Sequence, residues 1–148
     1  MDLVVRNARL RGESGTKDIA VRDGLVAAIG ERLAVQAGRE IDAGGNLASA
    51  PFIDPHLHLD AALSVGDPRY NESGTLLEGI AIWGERRPSL QKNEVLRNAR
   101  EAVLWEVANG VQFIRTHADT TDSALVTVEA LVELREEMKD VAEIQVVA

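Results

Sequence analysis

Pro51-Phe52-Ile53-Asp54-Pro55-His56-Leu57-His58 is a short apolar run that ends in two histidines one residue apart. Side chains alternate along an extended chain, so His56 and His58 share a face. Asp54 and Asp60 have the same parity and are candidate partners that orient the ring N–H groups. Neutral imidazole is a common metal ligand that suits Zn and Fe.

The residues after this run alternate in type. Leu76 to about Trp83 reads as a short helix. A longer helix is expected from an Asn93 cap to about Ala108, with Gly110 as its stop. Its apolar positions Val95, Leu96, Ala99, Val103, Val107 and Ala108 recur at helical spacing. Val111–Thr116 reads as a strand. A further helix, capped by Asp122 or Ser123, runs to about Met138 with Val128, Leu131, Leu134 and Met138 on one face. Glu143–Ala148 begins another strand. This β–α–β–α–β order predicts a parallel sheet with right-handed crossovers. If residues 51–58 form the first strand of a βα barrel, both imidazoles sit at its C-terminal end, where the active sites of such barrels lie.

Residues 1–50 read differently. Asp18–Arg22 and Leu25–Ile29 flank Asp23-Gly24, a strong hairpin signal, because a type I′ turn needs positive φ at both central residues. Gly44-Gly45 between Glu40–Asp42 and Asn46–Ala48 predicts a second tight turn. No helix is expected in this small β unit.

Composition narrows the function. The chain has 148 residues, 45% hydrophobic and 27% charged, which suits a globular chain with a real core. Aromatics are only 3%, so Val, Leu, Ile and Ala must build that core. The formal charge of −8 disfavours nucleic acid and anionic membrane surfaces as partners. With no cysteine, neither a disulfide framework nor a thiolate metal site can form. The N-terminus lacks the apolar core of a signal peptide, and no run approaches the ~18 residues that span a bilayer. A cytoplasmic location is expected.

Phe52-Ile53-Asp54-Pro55-His56-Leu57-His58-Leu59-Asp60 resembles the first-strand metal motif of the amidohydrolase superfamily. The leader segments Asn7–Leu10, Asp18–Gly30 and Ile41–Gly45 resemble the same family. Several segments are similar to its cytosine deaminase branch: Asn71–Ile80, Ala81–Arg86, Trp105–Gly110, Ile114–Asp119 and Glu143–Ala148. In Ile114–Asp119 this chain has Ala118 where the branch usually has Val.

The resemblance implies a fold, a site and a reaction. The fold is α/β. Residues 1–50 would be part of a composite β-sandwich, and residues 51–148 would open a TIM (β/α)8 barrel, truncated in its third strand. His56 and His58 match metal ligands for one divalent ion, Fe or Zn. Leu76 matches a residue lining the pyrimidine pocket. Asp60, His117 and Asp119 lie near the site, and His117 reads equally as a hydrogen-bonded barrel histidine supporting its neighbours. Trp83 and Trp105 read as packing residues. The Glu133, Glu136 and Glu137 run reads as a solvated helix face.

The implied reaction is hydrolytic deamination of a small heterocycle, cytosine to uracil plus ammonia, with isocytosine or an amino-triazine as alternatives. A homo-oligomer is compatible with the family. The family's further histidine, glutamate and aspartate come from later strands, so no catalytic residue is expected among these 148 residues. A complete barrel takes about 250 residues. Alone, the chain is expected to be inactive, to bind metal weakly and to aggregate through Ile144–Ala148. A non-catalytic fragment is the remaining alternative.

Overall fold

The computed structural model describes residues 1–121 and 123–148, in two compact units, Met1–Ala50 and Pro51–Ala148. In the first unit, four strands form one sheet: β1 (Leu3–Ala8), β2 (Lys17–Arg22), β3 (Leu25–Gly30) and β4 (Arg39–Asp42), in the order β3-β2-β1-β4. The β2–β3 and β1–β2 pairs are antiparallel, whereas β1–β4 is parallel. Asp23 and Gly24 have φ of 53° and 74°, the two positive values a type I′ turn demands. Gly44 and Gly45 also turn through positive φ, and Asn46 N donates to Ala43 O at 2.9 Å. The chain then runs beside β1, where Arg9 and Leu47 make a parallel bridge, so this turn does not close a hairpin.

Arg6 pins the long β3–β4 connection to the sheet. Its guanidinium donates to Asp18 at 2.8 Å, Glu40 at 2.8 Å, Leu33 O at 2.7 Å and Val35 O at 3.0 Å. Asp18, buried, returns the contact by accepting Leu33 N at 3.0 Å. The exposed backbone of a loop that lacks secondary structure is satisfied in this way.

The second unit contains β5 (Phe52–Leu57), a 3-10 turn (Leu59–Ala61), α1 (Leu76–Arg86), α2 (Lys92–Ala108), β6 (Val111–His117), α3 (Val126–Met138) and β7 (Glu143–Val147). The three strands are parallel in the order β5-β6-β7, as the alternating pattern predicts. One sheet face carries Ile114 and Ile144, which pack with Val95, Leu96, Ala99 and Val103 of α2 and with Ala130, Leu131, Leu134 and Met138 of α3. Removing these branched side chains from water is the main favourable term available to a unit so poor in aromatics. The other face carries Phe113 and Arg115. Arg115 reaches across to Gln145 of β7 at 2.7 Å, and Ile53 is 66% exposed.

Both helix starts differ from the expectation. Helix α2 begins at Lys92 with Gln91 as its cap, so Asn93 lies inside the first turn. Helix α3 begins after Leu125, whose φ of 51° is left-handed, and no side chain caps it. Ser123 is therefore not the cap, and Asp122 lies outside the described residues. Ala108 is exposed although it shares the helical spacing. Trp105 is 54% exposed and donates to Glu101 at 2.7 Å, so it is a surface residue and not a packing one. Glu133 and Glu137 pair with Lys92 at 2.9 Å and Arg100 at 2.6 Å, which ties the solvated face of α3 to α2.

Thr75 caps α1 by accepting Glu78 N at 3.3 Å. The Glu78 carboxylate turns back to the preceding loop, accepting Ser73 N at 2.7 Å and Arg69 at 2.8 Å. These contacts with Ser73 and Arg69 pull its pKa from 4.5 to about 2. A depressed carboxyl contributes stability that is complete above its unfolded pKa and lost as pH falls through the folded one. The Ser73 amide resonance is therefore expected to hold its position at pH 5 and to titrate with a midpoint near 2. In a Glu78→Gln variant it should not titrate there. A midpoint near 4.5 in the unmodified chain would show that the strap does not form.

Candidate metal centre

The β5–β6 register sets the site. Leu57 is paired with Thr116, so His56 and His58, on either side of Leu57, flank His117, which follows Thr116. The strand ends are then stitched together. Thr116, fully buried, accepts Leu59 N through its hydroxyl at 3.0 Å. Asp60 accepts Asp119 N at 2.8 Å.

Three imidazoles gather at this end of the sheet. The His56 and His117 rings stack with centroids 4.1 Å apart and 26° between planes. His58 lies 5.5 Å from His56 and 5.8 Å from His117, measured between centroids. Burial, and then the neighbouring His56 and His58, hold the His117 pKa below its ordinary value, which favours the neutral ring. His117 is thus the stacking neighbour of His56.

Asp60 has its side chain almost wholly buried. Its Oδ1 lies 3.3 Å from His58 Nδ1, and its Oδ2 accepts Asp119 N. A carboxylate can only accept, so the contact selects the tautomer with hydrogen on Nδ1 and leaves the Nε2 lone pair free. Asp54 does something else. Its Oδ1 accepts His56 N at 2.9 Å, so it fixes backbone and not an imidazole ring.

Beside His58 and Asp60 opens a cleft of about 750 Å³, walled by Leu76, Ile80 and Trp83 of α1 and floored by Ala118 and Asp119. Leu76 is 78% exposed to it and to solvent. Trp83 reads as a packing residue in the sequence. It does touch the core, but its indole also donates to Asp119 Oδ2 at 2.6 Å. Burial opposes the Asp119 charge, yet hydrogen bonds from Thr121 and Trp83 outweigh it and hold the carboxyl below its usual range. Arg87 and Thr121 complete this group, and neither stands out in the sequence. Only their positions, one just past α1 and one just past β6, bring them together.

The donor set fits a divalent cation in part. Two imidazoles from one strand end, one with its tautomer fixed, match the nitrogen ligands of a catalytic site. Such a site takes about three protein ligands plus water. Among the described residues, no group of three or more His, Asp or Glu side chains is arranged to hold an ion. No helix of the described residues is long and apolar enough to cross a membrane.

The comparisons with known proteins point the same way. A model described as "Amidohydrolase family" matches residues 39–143. An N-isopropylammelide isopropyl amidohydrolase of Pseudomonas sp. (strain ADP) is 32% identical, over 99% of this chain and 38% of its own length. A 5-methylcytosine deaminase from Klebsiella pneumoniae, solved with 5-fluorocytosine, superposes with a TM-score of 0.90 at 39% identity, covering 98% of this chain and 36% of that one. An N-isopropylammelide isopropylaminohydrolase from Burkholderia multivorans gives 0.79 at 25% identity, covering 100% and 37%. The chain therefore spans little more than a third of the length of these relatives.

Proposed function

We propose that this chain, which belongs to the amidohydrolase family, forms the front of a metal-dependent hydrolase that deaminates a small aminated heterocycle, cytosine before others. The observation that carries the reading is the His56/His58 pair at the end of β5, with the His58 ring oriented by Asp60. In this reading residues 1–50 are part of a composite β-sandwich, and β5, β6 and β7 are the first strands of a TIM barrel. The free edges of β5 and β7 pair with further strands, and the face bearing Phe113 and Arg115 turns inward.

His56 and His58 would hold one divalent ion, Fe or Zn, with further ligands from later strands. When bound, such an ion supplies an activated water near neutral pH. The chain's own residues do the rest of what it can do. Asp60 keeps His58 in one tautomer. The apolar wall of α1, with Leu76 at its start, receives the flat ring and excludes bulk water from it. In the balanced reaction, water adds at the carbon bearing the exocyclic amine, the C–N bond breaks, and ammonia leaves with the proton it gains.

A second reading has one specific support, the likeness to two N-isopropylammelide hydrolases. There the ring is an amino-triazine and the leaving group an alkylamine. The test is amine release by the whole metal-loaded protein from cytosine, isocytosine and N-isopropylammelide. Release from cytosine is expected to be fastest. Faster release from the triazine would replace the substrate, and none from any of the three would remove the reading. The 148 residues alone are expected to be silent, because their imidazole pair leaves the ion short of ligands.

A further inference from the structure

Helix α1 has few backbone neighbours in the second unit. Its main one is the short turn that follows it, and its side chains, Trp83 against the core and the buried Arg86 among them, make most of its contacts. Its position over the cleft therefore depends on side-chain tethers. Arg69 binds Glu78 and Glu85 at 2.8 and 2.9 Å, and the buried Arg86 binds Asp67 at 2.9 Å and Glu94. Those tethers join α1 to the loop before it and to the first turn of α2. The bonds from Trp83, and from Arg87 just past the helix, to Asp119 and Thr121 instead join it to the loop that follows His117 at the end of β6.

Both oxygens of the Asp119 carboxylate are engaged by protein donors. Its Oδ1 accepts both Thr121 N at 2.7 Å and Thr121 Oγ1 at 2.6 Å. Its Oδ2 accepts Trp83 Nε1 at 2.6 Å, with Arg87 at 3.7 Å. Its backbone N–H is given to Asp60, and its carbonyl accepts Thr127 Oγ1 at 2.9 Å. The backbone thus serves the His58 side of the site while the carboxylate serves α1.

We infer that Asp119 is a positioning residue for substrate binding, which acts through Trp83 to set the apolar wall of α1 at ring distance from the imidazole end of the sheet. The inference rests on the functional reading above and adds to it a division of labour. Asp60 governs the metal ligand, and the Asp119 side chain governs the fit of a flat, neutral ring through the indole of Trp83.

The test uses the metal-loaded whole enzyme with cytosine. Trp83→Phe keeps an aromatic ring and removes the N–H. Asp119→Ala removes the acceptor, and Asp119→Asn keeps one acceptor oxygen. Trp83→Phe and Asp119→Ala are each expected to raise KM about tenfold with kcat within about threefold, the signature of lost uniform binding. Asp119→Asn should restore part of the loss. In the Co(II)-substituted protein, the d–d spectrum should be unchanged in Trp83→Phe. If Asp119→Ala does not fold, Trp83→Phe decides alone, since its indole is only half buried. An unchanged KM in Trp83→Phe, or an altered cobalt spectrum, overturns the inference. Lack of turnover in the unmodified enzyme takes down the functional reading together with it, whereas turnover with unaltered KM in the variants takes down the positioning role alone.

Discussion

In the whole enzyme of the proposed reading, replacing His56 or His58 with alanine is expected to abolish tightly bound metal and to lower amine release by on the order of 10³-fold or more. The magnitude follows from what the ion does. Water has a pKa near 15.7 in bulk and near 7 on a catalytic metal, so losing the ion removes nearly all of the nucleophile at neutral pH. The two positions are not equivalent in their surroundings. His56 stacks on His117, while His58 is held by Asp60. His117→Ala separates a ligand from a neighbour. It removes a stacking partner and leaves both His56 and His58, so metal content should stay near one per chain and activity should fall far less. Metal analysis beside initial rates for the three variants checks this. If His58→Ala kept its metal and its rate, the centre would lie elsewhere.

Much of the second unit is legible because its burial is periodic. Val95, Leu96, Ala99 and Val103 are spaced for one helical face, and that face is the one the sheet covers. The helix starts are less legible because capping depends on backbone conformation, not on residue type alone. Leu125 enters α3 from a left-handed φ that no propensity scale would assign to leucine. The Asp23-Gly24 turn is the opposite case, since there the residue types and the required φ values agree.

The same contrast holds at the site. His56 and His58 can be read as a pair because their relation is local. That His117 stacks on His56 depends on the Leu57–Thr116 register between strands joined by α1 and α2, and a linear pattern cannot specify that register. Asp54 and Asp60 look alike by parity, yet the chain leaves the strand after Leu57. The 3-10 turn at Leu59–Ala61 swings Asp60 beneath the ring of His58, while Asp54 stays on its own strand and binds backbone. Trp83 is apolar enough to be read as core, and only its hydrogen bond to Asp119 shows that it also belongs to the cleft.

Asp60 carries the second large expected effect, and its asparagine variant is the informative one. The carboxylate receives two donors on two different oxygens, His58 Nδ1 at 3.3 Å and Asp119 N at 2.8 Å. An asparagine has the same shape but only one acceptor oxygen. Whichever way its amide is turned, an NH2 group faces an N–H, in a side-chain position only 2% exposed. Loss of a buried partner leaves the remaining donor to bear its full desolvation cost, about 1–3 kcal/mol. The His58 ring is then free to turn or to take the other tautomer, which presents hydrogen instead of a lone pair. Asp60→Asn and Asp60→Ala are therefore both expected to weaken metal binding by about 10–100-fold, the range found when the carboxylate behind a ligating histidine is lost. Competition with a chelator of known affinity measures this, and the ring nitrogen shifts of His58 report the tautomer directly. An asparagine variant with unchanged affinity and unchanged His58 shifts would mean that Asp60 only joins the β5 and β6 loops, and that the ring is oriented by something other than this carboxylate.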